Sequence, residues 1–110
     1  MPRPAPLSPG EIAERLASLP GWTFTEGALR RELVFTDFPE AFAFMTRVAL
    51  VAEKMDHHPE WTNVWSRVSV ALTTHDAGGV TELDFQLAAV MHRLMRNGDS
   101  TWCIRIRSEV

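Results

Sequence analysis

Residues 37–59, DFPEAFAFMTRVALVAEKMDHHP, decide how this chain folds. A helix begins after Asp37, with Phe38 and Pro39 in its first turn. Ala41, Met45, Val48, Ala52 and Met55 then recur at steps of four and three, the spacing of one helical face. Pro59 disfavours helical geometry at His58, so the helix stops in Asp56-His57-His58-Pro59. That helix is the centre from which the other elements are read.

On its N-terminal side, Ser8-Pro9-Gly10-Glu11 starts a first helix: Ser8 can cap, Pro9 suits the first position and Glu11 completes a capping box. Ile12, Leu16 and Leu19 share a face, and Leu19-Pro20-Gly21 ends the helix. Trp22 to Thr25 and Leu29 to Phe35 read as two strands turning around Glu26-Gly27. On the C-terminal side, Trp61 to Trp65 and Val68 to Thr74 form a second hairpin, with its turn expected at Ser66-Arg67. Val68, Val70 and Leu72 alternate with Ser69, Ala71 and Thr73, so that strand buries one face only. After the loop Ala77-Gly78-Gly79, Thr81 caps a third helix with Asp84 as its N3 partner. Leu83, Leu87, Val90 or Met91, and Leu94 supply its apolar stripe, and Asn97-Gly98 terminates it. The order α-β-β-α-β-β-α predicts an α+β fold: a four-stranded, mostly antiparallel sheet with helices packed on one face.

The 110 residues suit a single domain, 1–110, in which 97–110 is a C-terminal extension. In that extension Trp102, Ile104 and Ile106 alternate with Cys103, Arg105 and Arg107, which fits either a short fifth strand or a solvated tail. A formal charge of −3 supplies no broad basic field, so direct nucleic-acid binding is disfavoured. No apolar run is long enough for a membrane span, and the Pro-rich start lacks the apolar core of a secretory signal. A lone cysteine, Cys103, forms no internal disulfide, and the expected location is the cytoplasm.

Three of the four histidines, His57, His58 and His75, lie at the predicted end of the second helix and at the end of the last strand of the second hairpin. Imidazole is the side chain whose ordinary pKa lies closest to neutral pH, so such a group suits proton transfer. An α+β layer can return that strand end beside the helix end and bring the rings together. Glu53, one turn before His57, is placed to orient that ring. Asp84 is accounted for by its cap role, and each histidine alone would pass as a helix-end or strand-end residue. Trp61 and Trp65 serve as core or hairpin residues, or as a wall for a flat heteroaromatic ligand. Adjacent histidines chelate one zinc ion poorly, so no metal site is expected. Cys103 is remote, and no serine stands in a nucleophile-elbow motif.

Glu53-x3-His57-His58-Pro59, followed by Trp65, His75 and Asp84, resembles the pattern of the pterin-4a-carbinolamine dehydratases. The resemblance runs from about Leu16 to Met95 and includes Thr73-Thr74-His75-Asp76. It implies the same four-stranded sheet, and dehydration of 4a-hydroxytetrahydropterin to quinonoid dihydropterin in cofactor regeneration. It implies His57, His58 and His75 as active-site histidines and Glu53, Pro59, Trp65 and Asp84 as supporting positions, with a pterin substrate and a homodimer or homotetramer. The chemistry is expected to be histidine acid–base catalysis without a cofactor, His57 and His75 moving protons while His58 holds the pterin. Two alternatives are a non-catalytic dimeric binding or assembly module and a dehydratase in another pterin pathway.

Overall fold

A computed structural model describes residues 4–95, so the predicted stop at Asn97-Gly98 and the extension 97–110 lie outside the described residues. The elements are α1 (Pro9–Leu16), β1 (Thr23–Thr25), β2 (Ala28–Val34), α2 (Phe38–Met55), β3 (Glu60–Val64), β4 (Arg67–Leu72), a 3-10 turn (His75–Ala77) and α3 (Glu82–Arg93). The four strands are antiparallel in the order β1-β2-β4-β3. α2 therefore carries the chain past the place beside β2, where β4 inserts, to begin the edge strand β3.

Each helix starts where a side chain satisfies its otherwise unpaired amides. Ser8 Oγ accepts from the Glu11 amide at 3.2 Å while Glu11 Oε1 accepts from the Ser8 amide at 2.9 Å. The Ser8 backbone amide foremost, and then the Ser8 side chain, hold the Glu11 carboxyl below its ordinary pKa. The stabilisation of α1 is thus present above the ordinary carboxylate range and lost as pH falls through the lowered folded value. Amide exchange in the first turn of α1 is expected to accelerate over that acid window, and Glu11→Gln to abolish the pH dependence. An identical pH profile in the variant would refute the assignment.

α2 begins on Asp37, whose Oδ1 accepts from the Glu40 amide at 3.0 Å. It ends earlier than the proline predicts. Asp56 adopts a left-handed conformation (φ 53°, ψ 43°), one that short polar side chains tolerate better than most. Its amide bonds to Glu53 O at 3.1 Å and the His57 amide to Ala52 O at 3.0 Å, the two bonds of a Schellman motif. Neither histidine is helical.

The first hairpin turns on Glu26 (φ 53°) and Gly27 (φ 78°), the paired positive angles of a tight two-residue loop. The second hairpin turns one residue earlier than expected, at Trp65-Ser66, because Val64 pairs with Arg67. Asn63 Nδ2 clamps that loop by donating to Trp65 O and Arg67 O. β4 stops at Leu72, and His75 opens the 3-10 turn instead of ending the strand.

The core is the helix-facing side of the sheet. Val68, Val70 and Leu72 are buried as their alternation predicts, together with Leu29 and Leu33 of β2. Ala41, Phe44, Val48 and Ala52 meet them from α2; Met45 and Met55 sit at the margin of the cluster. On α3 the buried set is Asp84, Phe85, Leu87, Ala88 and Met91; Leu87 and Met91 of the predicted stripe are thus buried, Leu83 and Leu94 are half-buried, and Phe85 and Ala88 widen the apolar face. Arg15 Nη1 ties α1 to Glu82 of α3 at 2.8 Å, and the guanidinium carbon lies 5.7 Å from the centre of the Phe85 ring.

Candidate active site

The Schellman turn that ends α2 aims the His57 ring inward. Its Nε2 lies 2.6 Å from Asp84 Oδ1, and the two side chains are 6% and 0% exposed, so the pair is shielded from water. Asp84 belongs to the first turn of α3, where the peptide dipoles favour an anion. Its Oδ2 accepts from the Thr81 amide and from Thr74 Oγ1, each at 2.8 Å. The cap role expected of Asp84 is therefore present, and the same carboxylate also binds the histidine.

The other two histidines are exposed and each is held by a carboxylate. His58 Nε2 lies 2.8 Å from Glu53 Oε1, and His75 Nε2 lies 2.9 Å from Glu60 Oε1. Glu53 thus pairs with His58 and not with His57, as its position one turn earlier had suggested. The reason is the left-handed Asp56: it ends the helical register, turns His57 into the interior and leaves His58 beside the outer face of the last turn.

These contacts and the peptide bonds between neighbouring residues together form a closed circuit. It runs from His57 through Asp84 and Thr74 to His75, then through Glu60 and Pro59 to His58 and back along the chain. The C-terminal ends of α2 and β4, the start of β3 and the start of α3 meet at this one end of the sheet. His57, His58, His75, Glu53, Pro59 and Asp84 all lie there. Trp61 is half-buried, on the side of β3 that faces the core and opposite Val70. Trp65 is not brought to the circuit: it occupies the far turn of β3, largely exposed, about 17 Å along the strand from Glu60.

Sequence reasoning missed Glu60, Thr74 and Thr81. Thr74 and Thr81 were legible as neighbours of His75 and as a helix cap, but nothing local signals that two buried hydroxyls 2.8 Å apart join them. Among the described residues no three His, Cys, Asp or Glu side chains are grouped so that they could hold a metal ion. No helix among those residues is long and apolar enough to cross a membrane.

A helix-backed antiparallel sheet with three imidazole–carboxylate pairs at one end defines a small α+β protein. Residues 5–94 match the family model described as pterin 4 alpha carbinolamine dehydratase. The chain belongs to that family, and with it to the hydro-lyases. It is 60% identical over 90 residues to a Rhodopseudomonas palustris (strain HaA2) protein provisionally named pterin-4-alpha-carbinolamine dehydratase, covering 80% of this chain and 89% of that one. A relative of the same provisional name from Rhizorhabdus wittichii is 54% identical, over 81% of this chain and 94% of its own. The crystal structure of a "transcriptional coactivator/pterin dehydratase" from Brucella melitensis superposes with a TM-score of 0.79 at 46% identity. It covers 81% of this chain and 97% of the Brucella chain.

Proposed function

We propose that this protein dehydrates 4a-hydroxytetrahydropterin to quinonoid dihydropterin by histidine general acid–base catalysis, regenerating a tetrahydropterin cofactor in the cytoplasm. The observation that carries the mechanism is the circuit of three imidazole–carboxylate pairs at one end of the sheet. Elimination breaks the C4a–O bond, forms the N5=C4a double bond, delivers a proton to the departing oxygen and takes the N5 proton. Two imidazoles on one substrate can do both, and each such transfer contributes about 10²–10⁴-fold.

His57 and His75 are the proton-transfer pair in this reading, and His58 holds the pterin. His57 suits the role because its ring is locked by a buried carboxylate, which reduces the reorganisation required during the reaction. Glu60 orients His75, Glu53 orients His58, and Pro59 keeps His58 extended. No metal or organic cofactor enters this mechanism. Assembly as a dimer or tetramer is part of the proposal: Phe38, Phe42 and Leu50 of α2 present exposed apolar surface, the first two rings 5.6 Å apart.

The test couples a phenylalanine hydroxylase, as the source of the carbinolamine, to formation of quinonoid dihydropterin. The expected result is acceleration by the parent protein and a loss of about 10²–10⁴-fold in His57→Ala and in His75→Ala. Because His75 is exposed, its replacement should leave stability within about 0.5 kcal/mol. Sedimentation of the same sample reads the assembly, and a monomer would overturn that part. No acceleration by a folded sample would overturn the catalytic reading and favour a binding module.

A further inference from the structure

Thr74, Thr81, Asp84 and His57 are all buried, with relative exposures of 2%, 0%, 0% and 5%. Their hydrogen bonds can be assigned a direction. Thr81 Oγ1 accepts from the Leu83 amide at 3.2 Å and lies 2.8 Å from Thr74 Oγ1. A threonine hydroxyl has a single proton to donate. Thr74 donates its proton to Asp84 Oδ2, so Thr81 must donate to Thr74. Were Thr74 to donate to Thr81 instead, the buried carboxylate would lose a donor it cannot replace with water.

Asp84 Oδ2 therefore receives two bonds, from the Thr74 hydroxyl and the Thr81 amide, leaving Oδ1 to His57 Nε2. An ionised carboxylate only accepts, so His57 Nε2 carries the hydrogen of that bond. In the neutral ring the other nitrogen is then the acceptor, because the bond at one imidazole nitrogen decides the role of the other.

We infer that Thr74 and Thr81 are positioning residues: their paired hydroxyls orient Asp84 so that His57 is held as the Nε2–H tautomer, with Nδ1 the nitrogen that exchanges a proton with the substrate. The catalytic meaning of this relay rests on the dehydratase reading above; the tautomer does not.

Two readouts keep those statements separate. Nitrogen-15 spectra of the His57 ring in the parent protein should show a protonated Nε2 and an unprotonated Nδ1 in the neutral form. The reverse pattern overturns the inference without any variant, and it decides the matter if Thr74→Val fails to fold. In folded Thr74→Val the ring should show mixed tautomers and faster exchange of the Nε2 proton. Turnover should then fall about 10- to 100-fold with little change in KM, the size of one hydrogen bond to a charged group. Thr74→Ser, which restores the hydroxyl, should recover both signals. A folded Thr74→Val with parental kcat and parental ring spectra overturns the inference. An inactive parent protein with the expected ring spectrum would instead sink the dehydratase reading and leave the positioning intact.

Discussion

An Asp84→Asn protein is expected to fold and to turn over about 10²–10⁴-fold more slowly than the parent. The reasoning follows the donors around position 84. The Thr81 amide and the Thr74 hydroxyl both point hydrogens at Oδ2, so the asparagine oxygen must occupy that place. Its amide NH2 is then presented to His57 Nε2, which has to accept where before it donated. The ring proton moves to Nδ1, and the nitrogen proposed to serve the substrate is no longer a base. Asp84→Ala is a harsher change. It leaves the Thr81 amide, the Thr74 hydroxyl and the His57 ring without their shared acceptor, at a cost of about 3–5 kcal/mol for breaking a buried pair from one side. Urea denaturation and the coupled assay, run on both variants, separate the two effects. Parental turnover in Asp84→Asn would show that the orientation of His57 has no part in the chemistry.

Phe44→Ala should be the most damaging single change to the core, costing about 3–5 kcal/mol. Phe44 is fully buried in the middle of α2 and sets its ring 5.1 Å from that of Phe35, which follows β2. Truncation removes transfer free energy and leaves a cavity between helix and sheet that the closed backbone of both elements resists filling. A domain of this size commonly has about 5–15 kcal/mol in total, so the variant should be close to unfolding at physiological temperature. Equilibrium urea unfolding checks the figure. A loss below about 1.5 kcal/mol would mean that α2 does not pack on the sheet through Phe44. Turnover measured below the new melting range should be little altered, since the site hangs on the far end of the helix.

The sequence motif and the geometry single out overlapping sets of residues. Family spacing points to Glu53, the three histidines and Asp84 as separate positions in the sequence. In the structure they are joined by Thr74 and Glu60, neither of which belongs to that spacing. The three pairs also differ in kind: His57–Asp84 is dry, whereas the His58 and His75 pairs are open to solvent. A water-excluded pair keeps its geometry and electrostatic strength, and an exposed pair is screened and mobile. That contrast is the physical basis for assigning the orienting device to His57 in the proposed mechanism.

Much of this architecture is local and legible in the amino-acid sequence. Ser8 and Glu11, Thr81 and Asp84, and the alternation of Val68, Val70 and Leu72 each report on a few neighbouring residues, and all recur as expected. The misreadings are of three kinds. A one-residue slip of the second turn arose because Trp65 takes a positive φ that favours glycine, which nothing in its side chain announces. The helix end was ascribed to Pro59 although Asp56 stops it first, and that left-handed residue redirected Glu53 from His57 to His58. Phe44 was passed over because a helical face admits steps of three as well as four, and burial, not spacing, chooses among them. Capping, periodicity and motif spacing are properties of short stretches of chain, and the amino-acid order is enough to state them. Which carboxylate meets which imidazole depends on β4 pairing between β2 and β3 and on the start of α3 docking against the end of α2. Those contacts join residues 15 to 27 positions apart. Only the burial of the shared core brings them together, and so the tertiary structure alone decided the His57–Asp84 and His75–Glu60 pairs, while the His58–Glu53 pair, five residues apart, follows from the local turn at Asp56.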